Sequence, residues 1–168
     1  LVESGVMMGR LVKECISRNL SGVESLIGVP GTVGGAIRMN AGAYGHEISK
    51  SLDKLKVVTM TGDLKEYGRD EIDFDYRYSS LQDDEILVSA TFEFEQGKRE
   101  KIQELRSLAS ESRKKSQPLK FRSAGSVFKN PTGGNSAGYY IDQAGLKGTR
   151  SGNAEISTKH ANFFVNHG

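Results

Sequence analysis

The 168-residue sequence contains a single cysteine, Cys15. That excludes an internal disulfide, and no ligand-type spacing surrounds the thiol to suggest a metal site. Cys15 lies on the apolar face of an expected helix and reads as a buried structural thiol. The three histidines, His46, His160 and His167, lie far apart, with no HExxH and no Cys/His cluster, so no metal centre is expected. No apolar run approaches the roughly 20 residues that span a bilayer. No basic-then-apolar leader opens the chain, so nothing points to secretion. A G-x-S-x-G nucleophile elbow is missing, and with it the support for a Ser-His-Asp hydrolase. The nucleotide fingerprint G-x-G-x-x-G and the P-loop lysine are missing too. There is no internal repeat and no low-complexity tract.

What is present reads as a globular protein: 36% apolar and 26% charged residues, enough chain to bury a core, and a cytoplasmic setting. The apolar pattern starts almost at Leu1, and the chain stops just after the strand-like "ANFFVNHG". A fragment of something longer is expected. The net charge of +2 conceals a gradient: residues 1–97 carry 10 Lys+Arg against 16 Asp+Glu, and residues 98–130 carry 10 against 3. The basic stretch is either a solvated helix face or an anion-attracting wall for a phosphorylated ligand. Aromatics are not interleaved with it, so nucleic-acid binding is not expected.

Val6, Met8, Leu11, Val12, Cys15, Ile16 and Leu20 recur at helical spacing and predict a helix over 5–20. "KLKVVTMTGDLKEYG" predicts a hairpin turning at Gly-Asp. In "ILVSATFEFEQ" the alternation predicts a half-buried strand with Ile86, Val88, Ala90, Phe92 and Phe94 on one side. A helix is expected over 99–115 through Ile102, Leu105, Leu108 and Ala109, ended by Gln117-Pro118. Ser136 is the expected N-cap of a short helix through "AGYYIDQAG", and "AEIS" and "NFFVN" read as strands. The domain boundary is placed at 97/98, where the charge reverses.

Three stretches carry candidate chemistry. In "GVPGTVGGAIRMNAGAYG", Gly28, Gly31, Gly34 and Gly35 recur around Pro30 and Thr32. They offer either backbone that a flat or anionic ligand can approach closely or a tight turn packed on a neighbouring strand. Asn40, Gly42, Tyr44 and Gly45 prolong this irregular region. In "DFDYRYSS", Arg77 lies between Tyr76 and Tyr78. It is either held by stacking, ready for a carboxylate or phosphate, or makes a surface cation–π contact. In "SAGSVFKNP", Ser126 has no elbow around it.

Together, "SLIGVPGTVGGAIRMNAGAYG", "DYRYSSL" and "SAGSVFKNP…AGYYIDQAGLKG…AEISTKHANFFVN", in this order and over nearly the whole chain, resemble the UDP-N-acetylenolpyruvoylglucosamine reductases of bacterial cell-wall synthesis. The short path from "YRYSSL" to "SQPLKFRSAGS" is similar to the variant without a substrate-capping loop. The resemblance implies an α+β fold. Residues 1–97 would be the second half of a vanillyl-alcohol-oxidase-type FAD-binding module, and 98–168 a smaller α+β substrate domain. It implies FAD and NADPH as cofactors, a UDP-sugar enolpyruvate as substrate, and a monomer serving peptidoglycan synthesis, cell shape and cell division.

Carried over by motif, Gly28, Val29, Pro30, Gly31, Thr32, Val33, Gly34, Gly35, Asn40 and Gly42 would lie along FAD. Arg77 would face the substrate carboxylate beside Tyr76, and Ser126 would donate the proton. Lys129, Asn130, His160 and Asn162 would line the substrate site. An alternative is another FAD oxidoreductase of the same superfamily, and a further one a non-catalytic phosphate-binding module. Family members begin earlier, with a loop for the FAD pyrophosphate, and end later, with a catalytic glutamate. The 168-residue chain is therefore expected neither to retain FAD nor to turn over substrate.

Overall fold

A computed structural model describes residues 1–168, and its helices and antiparallel sheets make an α+β fold. The chain divides into two units, Leu1–Ser110 and Glu111–Gly168. No helix is long and apolar enough to cross a membrane.

In the first unit, strand β1 (Val2–Glu3) leads into helix α1 (Met8–Ser17). Met8, Leu11, Val12 and Cys15 follow the helical repeat, and each is 5% exposed or less. Burying such side chains contributes about 1.5–3 kcal/mol for a large aliphatic one. The helix starts three residues later than its periodicity predicts, because the backbone before it is engaged elsewhere: the Val6 carbonyl accepts the Val33 N–H, and the Met8 N–H donates to the Gly31 carbonyl. It ends before Asn19, which takes the left-handed conformation at φ 56°, a usual helix-terminating geometry. The Cys15 thiol lies in the core, where burial, with Glu14 and Glu24 adding to it, pushes its pKa up to about 11.

Short pieces follow: β2 (Leu20–Ser21), α2 (Val33–Arg38), β3 (Gly42–Ala43) and β4 (His46–Glu47). Then β5 (Leu52–Thr59) and β6 (Leu64–Gly68) form the expected hairpin. Its turn is closed by Gly62, at φ 91°, and by the Asp63 N–H donating to Thr59 Oγ1 at 3.1 Å. Next come β7 (Phe74–Asp75), β8 (Tyr78–Ser79), β9 (Glu85–Phe92) and β10 (Glu95–Gln96). The main sheet runs β1-β9-β5-β6. Leu55, Val57 and Ala90 of the sheet join α1 and α2 in one core.

β9 is the expected strand, but the expected face does not hold. Ile86 and Val88 are 56% and 40% exposed, while Glu85, Ser89 and Ala90 are buried. The cause is a bulge. Lys56 pairs with Ser89 and Val57 with Leu87, so Val88 is an extra residue that switches the side to which the alternation points. The strand also ends at Phe92, and Phe94 instead stacks on Phe92 at 5.7 Å. Glu85, turned inward, accepts from Tyr67 Oη at 2.5 Å, from Lys65 Nζ at 3.2 Å and from the Gln82 N–H at 3.0 Å. Burial alone would raise its pKa, but these donors outweigh it and hold the carboxyl below its usual value.

Helix α3 (Arg99–Ser116) runs across the division between the units. Ile102 and Ala109 are buried, whereas Leu105 and Leu108 are 38% and 53% exposed. The helix stops at Ser116, ahead of Gln117-Pro118. The charge reversal at 97/98 thus marks where this helix begins.

The second unit holds β11 (Arg122–Ser126), α4 (Ala137–Gln143), β12 (Arg150–Ser151), β13 (Ala154–Ile156) and β14 (Phe163–Asn166). The sheet order is β11-β14-β13-β12, all antiparallel. Ser136 caps α4 as expected, its Oγ accepting the Tyr139 N–H at 3.2 Å. The buried set in this unit is small: Pro118, Ala161, Phe163 and Val165, with the polar Ser157 and Asn162.

Candidate active site

In the first unit the glycine-rich stretch divides by role. Gly28 and Gly31 are exposed, at φ 78° and 102°, conformations that suit glycine. A Cβ on Gly31 would meet nothing within 4 Å. At Gly34 a Cβ would lie 3.0 Å from Ser4 Cβ and 3.3 Å from the Ser4 carbonyl oxygen, so that glycine is required by packing. The N–H groups at the start of α2 are committed internally: Val33 to the Val6 carbonyl, Gly34 to the Ser4 carbonyl and Gly35 to Thr32 Oγ1. Val33 itself is a fully buried core residue. Packing thus requires glycine at Gly34, while Gly28, Gly31 and Gly35 are exposed.

Asn40 is fully buried at φ 40°. Its Nδ2 donates to the Asp75 carbonyl at 3.1 Å, while Oδ1 is a buried acceptor with no donor. That hydrogen bond ties the end of α2 to the β7–β8 hairpin, whose two-residue loop is Tyr76-Arg77. Arg77 takes the left-handed conformation at φ 55°, an uncommon one for a non-glycine side chain and an energetic cost of order 1 kcal/mol. Its guanidinium lies 4.8 Å from the Tyr76 ring centroid and donates to the Gly42 carbonyl at 3.1 Å. The contact found is a cation–π contact with Tyr76, which is 42% exposed, and does not choose between the two readings of Arg77; Tyr78, on the other side in sequence, is a strand residue.

Gly42, Tyr44, Gly45, Tyr76 and Arg77 come together around an open hollow of about 410 Å³. His46 and Lys50 also line it; sequence reasoning weighed His46 only as a metal ligand and did not single out Lys50, because a lone histidine and a lone lysine carry no motif. Lys50 Nζ donates to the Gly45 carbonyl at 3.1 Å. Burial, with Lys50 adding to it, pushes the His46 imidazole below its usual range.

In the second unit, Ser126 lies at the end of β11. Ser123 pairs with Val165 but Ser126 pairs with Phe163, so this strand carries one extra residue, and Gly125 takes φ 90° there. Such a bulge re-aims the residue that follows it. Ser126, Val127, Phe128, Lys129 and Asn130 are all exposed. Asn130 Oδ1 accepts the Ala137 N–H at 3.1 Å, at the head of α4. Asn162 is 3% exposed, and both ends of its amide are used on Phe128: Oδ1 accepts the N–H at 3.0 Å and Nδ2 donates to the carbonyl at 2.8 Å. His160 packs against Phe163 at 4.6 Å between ring centroids. Its Nδ1 is buried without a partner, and burial lowers its pKa.

Each unit contains a match to a known family model. Residues 1–68 match the family model described as FAD binding domain. Residues 117–168 match that described as UDP-N-acetylenolpyruvoylglucosamine reductase, C-terminal domain. Among curated relatives, the UDP-N-acetylenolpyruvoylglucosamine reductase of Syntrophus aciditrophicus is 45% identical over 99% of this chain and 53% of the relative. That of Lactiplantibacillus plantarum is 46% identical over 99% of this chain and 55% of the relative. The crystal structure of UDP-N-acetylenolpyruvylglucosamine reductase from Thermus caldophilus superposes with a TM-score of 0.91 at 40% identity, covering 98% of this chain and 60% of that one.

An FAD-type module followed by this C-terminal domain defines a flavoprotein architecture. The chain belongs to the UDP-N-acetylenolpyruvoylglucosamine reductase family. It spans about half the length of the curated relatives it matches.

Proposed function

We propose that this chain is part of an FAD-dependent, NADPH-driven reductase that converts UDP-N-acetylglucosamine enolpyruvate to UDP-N-acetylmuramate for peptidoglycan synthesis in the cytoplasm. The residues present fit one flank of FAD. Gly28 and Gly31 are exposed at positive φ, a Cβ on Gly31 would meet nothing within 4 Å, and the buried Oδ1 of Asn40 is an acceptor that lacks a donor. The committed N–H groups of 33–35 do not form a phosphate nest, so those residues would support the site from behind. FAD, when bound, supplies hydride chemistry between the nicotinamide and the enolpyruvyl double bond.

The chain's own residues handle charge and proton. Reduction of the enolpyruvyl group at its terminal carbon leaves negative charge on the carbon beside the carboxylate. Arg77 would stabilise that enolate-like charge and orient the carboxylate. Its left-handed backbone and its cation–π contact with Tyr76 reduce the freedom it must lose on binding. Ser126 would deliver the proton. A serine hydroxyl is a very weak acid, but an enolate is a strongly basic acceptor, so the match of donor to acceptor is favourable. Lys129 would ease the transient alkoxide or bind phosphate, and Tyr76, Asn130 and His160 would line the substrate. Burial lowers the His160 pKa and so disfavours the charged ring, suiting it to contact rather than to charge pairing.

The observation that carries this reading is the display of Ser126, an exposed hydroxyl set out just past the Gly125 bulge on the same strand end as Lys129 and Asn130. The test is Ser126→Ala in a full-length protein carrying this sequence. Reduction of the bound flavin by NADPH should be unchanged, while reoxidation by the enolpyruvyl substrate should fall about a hundredfold or more, the scale of a lost general acid. Unchanged reoxidation would remove Ser126 from the chemistry.

A further inference from the structure

We infer that Asn162 is a positioning residue, whose side-chain amide extends the β11–β14 ladder by one peptide unit and so fixes the segment Ser126–Asn130. The inference rests on the functional reading above for what that segment does, but not for how it is held.

The ladder shows why a side chain is needed. Ser126 pairs with Phe163, and the Val127 N–H donates to the Asn162 carbonyl at 2.9 Å. Beyond that point β14 has no backbone left to offer, because the chain turns. The Phe163 N–H donates back to the His160 carbonyl, and the Lys159 and His160 N–H groups both donate to Ser157 Oγ. The next residue of the other strand, Phe128, still has an N–H and a carbonyl to satisfy. Asn162 meets both, one with Oδ1 and one with Nδ2, at 3.0 and 2.8 Å. The amide has only one orientation that matches a donor and an acceptor of the same residue.

Burial cannot hold this segment. Val127 and Phe128 are 44% and 53% exposed, and Ser126, Lys129 and Asn130 are exposed as well. Phe128 has an edge contact with Phe164, ring centroids 6.2 Å apart, and Asn162, at 3% exposure, adds hydrogen bonding from a buried base. Gly138 of α4 lies beside it: a Cβ there would sit 3.6 Å from Asn162 Cβ, ordinary contact distance. With Asn130 Oδ1 tied to the Ala137 N–H, the segment is pinned on both sides of Lys129. Both polar atoms of Asn162 are spent on Phe128, so the residue acts through the segment rather than on a ligand.

The test compares Asn162→Ala with Asn162→Asp in the full-length, flavin-loaded protein, using two readouts. Hydrogen exchange at the Phe128 amide should accelerate about tenfold or more in Asn162→Ala, the equivalent of losing roughly one buried hydrogen bond's worth of protection. The Val165 amide, deeper in β14, should keep its rate. Asn162→Asp retains an acceptor for the Phe128 N–H, so its exchange should stay slow while the donor to the carbonyl is lost. In turnover, both variants should lower kcat for the enolpyruvyl step more than they change KM, with flavin reduction by NADPH unaffected. Unchanged Phe128 exchange in Asn162→Ala overturns the inference, as does a pure KM effect in both variants. Should Asn162→Ala fail to fold, Asn162→Asp carries the decision: a lowered kcat with Phe128 exchange still slow upholds the inference, while an unchanged kcat, or faster exchange at Phe128 and Val165 alike, overturns it. The exchange result stands whether or not the wild-type protein reduces the enolpyruvyl substrate, and that second outcome judges the functional reading by itself.

Discussion

Two adjacent glycines at the start of α2 should respond to the same substitution with opposite signs. Gly35 is helical, and a Cβ there would first meet Thr32 Oγ1 at 3.6 Å, ordinary contact. Gly35→Ala removes the excess backbone entropy of glycine in a helix and should stabilise the ligand-free protein by about 0.5–1 kcal/mol. Gly34 has the same helical backbone, but its Cβ would lie 3.0 Å from Ser4 Cβ and 3.3 Å from the Ser4 carbonyl oxygen. Neither atom is the end of a flexible side chain, and the Gly34 N–H is bonded to that carbonyl. Relieving the overlap must push α2 away from residues 4–8, at a cost of about 1–3 kcal/mol for overpacking. Urea denaturation followed by circular dichroism, without flavin, reads both, and the midpoints should move in opposite directions from wild type. Two variants shifted the same way would refute the division of this stretch into packing and open glycines.

In a full-length protein carrying this sequence, Arg77→Lys keeps the charge but loses the planar fork, so turnover with the enolpyruvyl substrate should drop about a hundredfold; near-normal turnover would make Arg77 a surface cation. His46 and His160 are both held below their usual pKa by burial, so below the ordinary histidine value of about 6.5 the unfolded chain binds more protons than the native one. Stability should therefore fall as pH drops from 7.5 to 5.5, and His160→Gln should flatten the slope; a urea midpoint that rises over this range would contradict the buried, neutral state.

Much of the architecture was legible from periodicity. α1 and α3 were readable from the helical repeat, α4 from Ser136 as its cap, and the β5–β6 hairpin was announced by Gly-Asp between β-branched runs. What escaped is what one-dimensional patterns do not encode. The bulge at Val88 reverses the face of β9, because a single extra residue is invisible in an alternation that looks perfect on paper. The two-residue strands β7 and β8 are too short to show a period, yet they create the turn that holds Arg77. At the candidate site, residue types were legible and their division of labour was not. Gly31 and Gly34 look alike in sequence, and only the proximity of Ser4 separates them. Asn162 looked like a ligand-binding amide, and its buried partner, the backbone of Phe128, lies 34 residues away in the chain.

The lone thiol of α1 offers a use apart from chemistry. Cys15 is 3% exposed and its pKa is pushed up to about 11, so at pH 8 only about one thiol in a thousand would be ionised even if reagent could reach it. Once α1 leaves the core, the same sulfur returns to ordinary reactivity. Because no other cysteine competes for label, alkylation of this protein acts as a clock on the opening of its largest core, ticking only when the helix lets go.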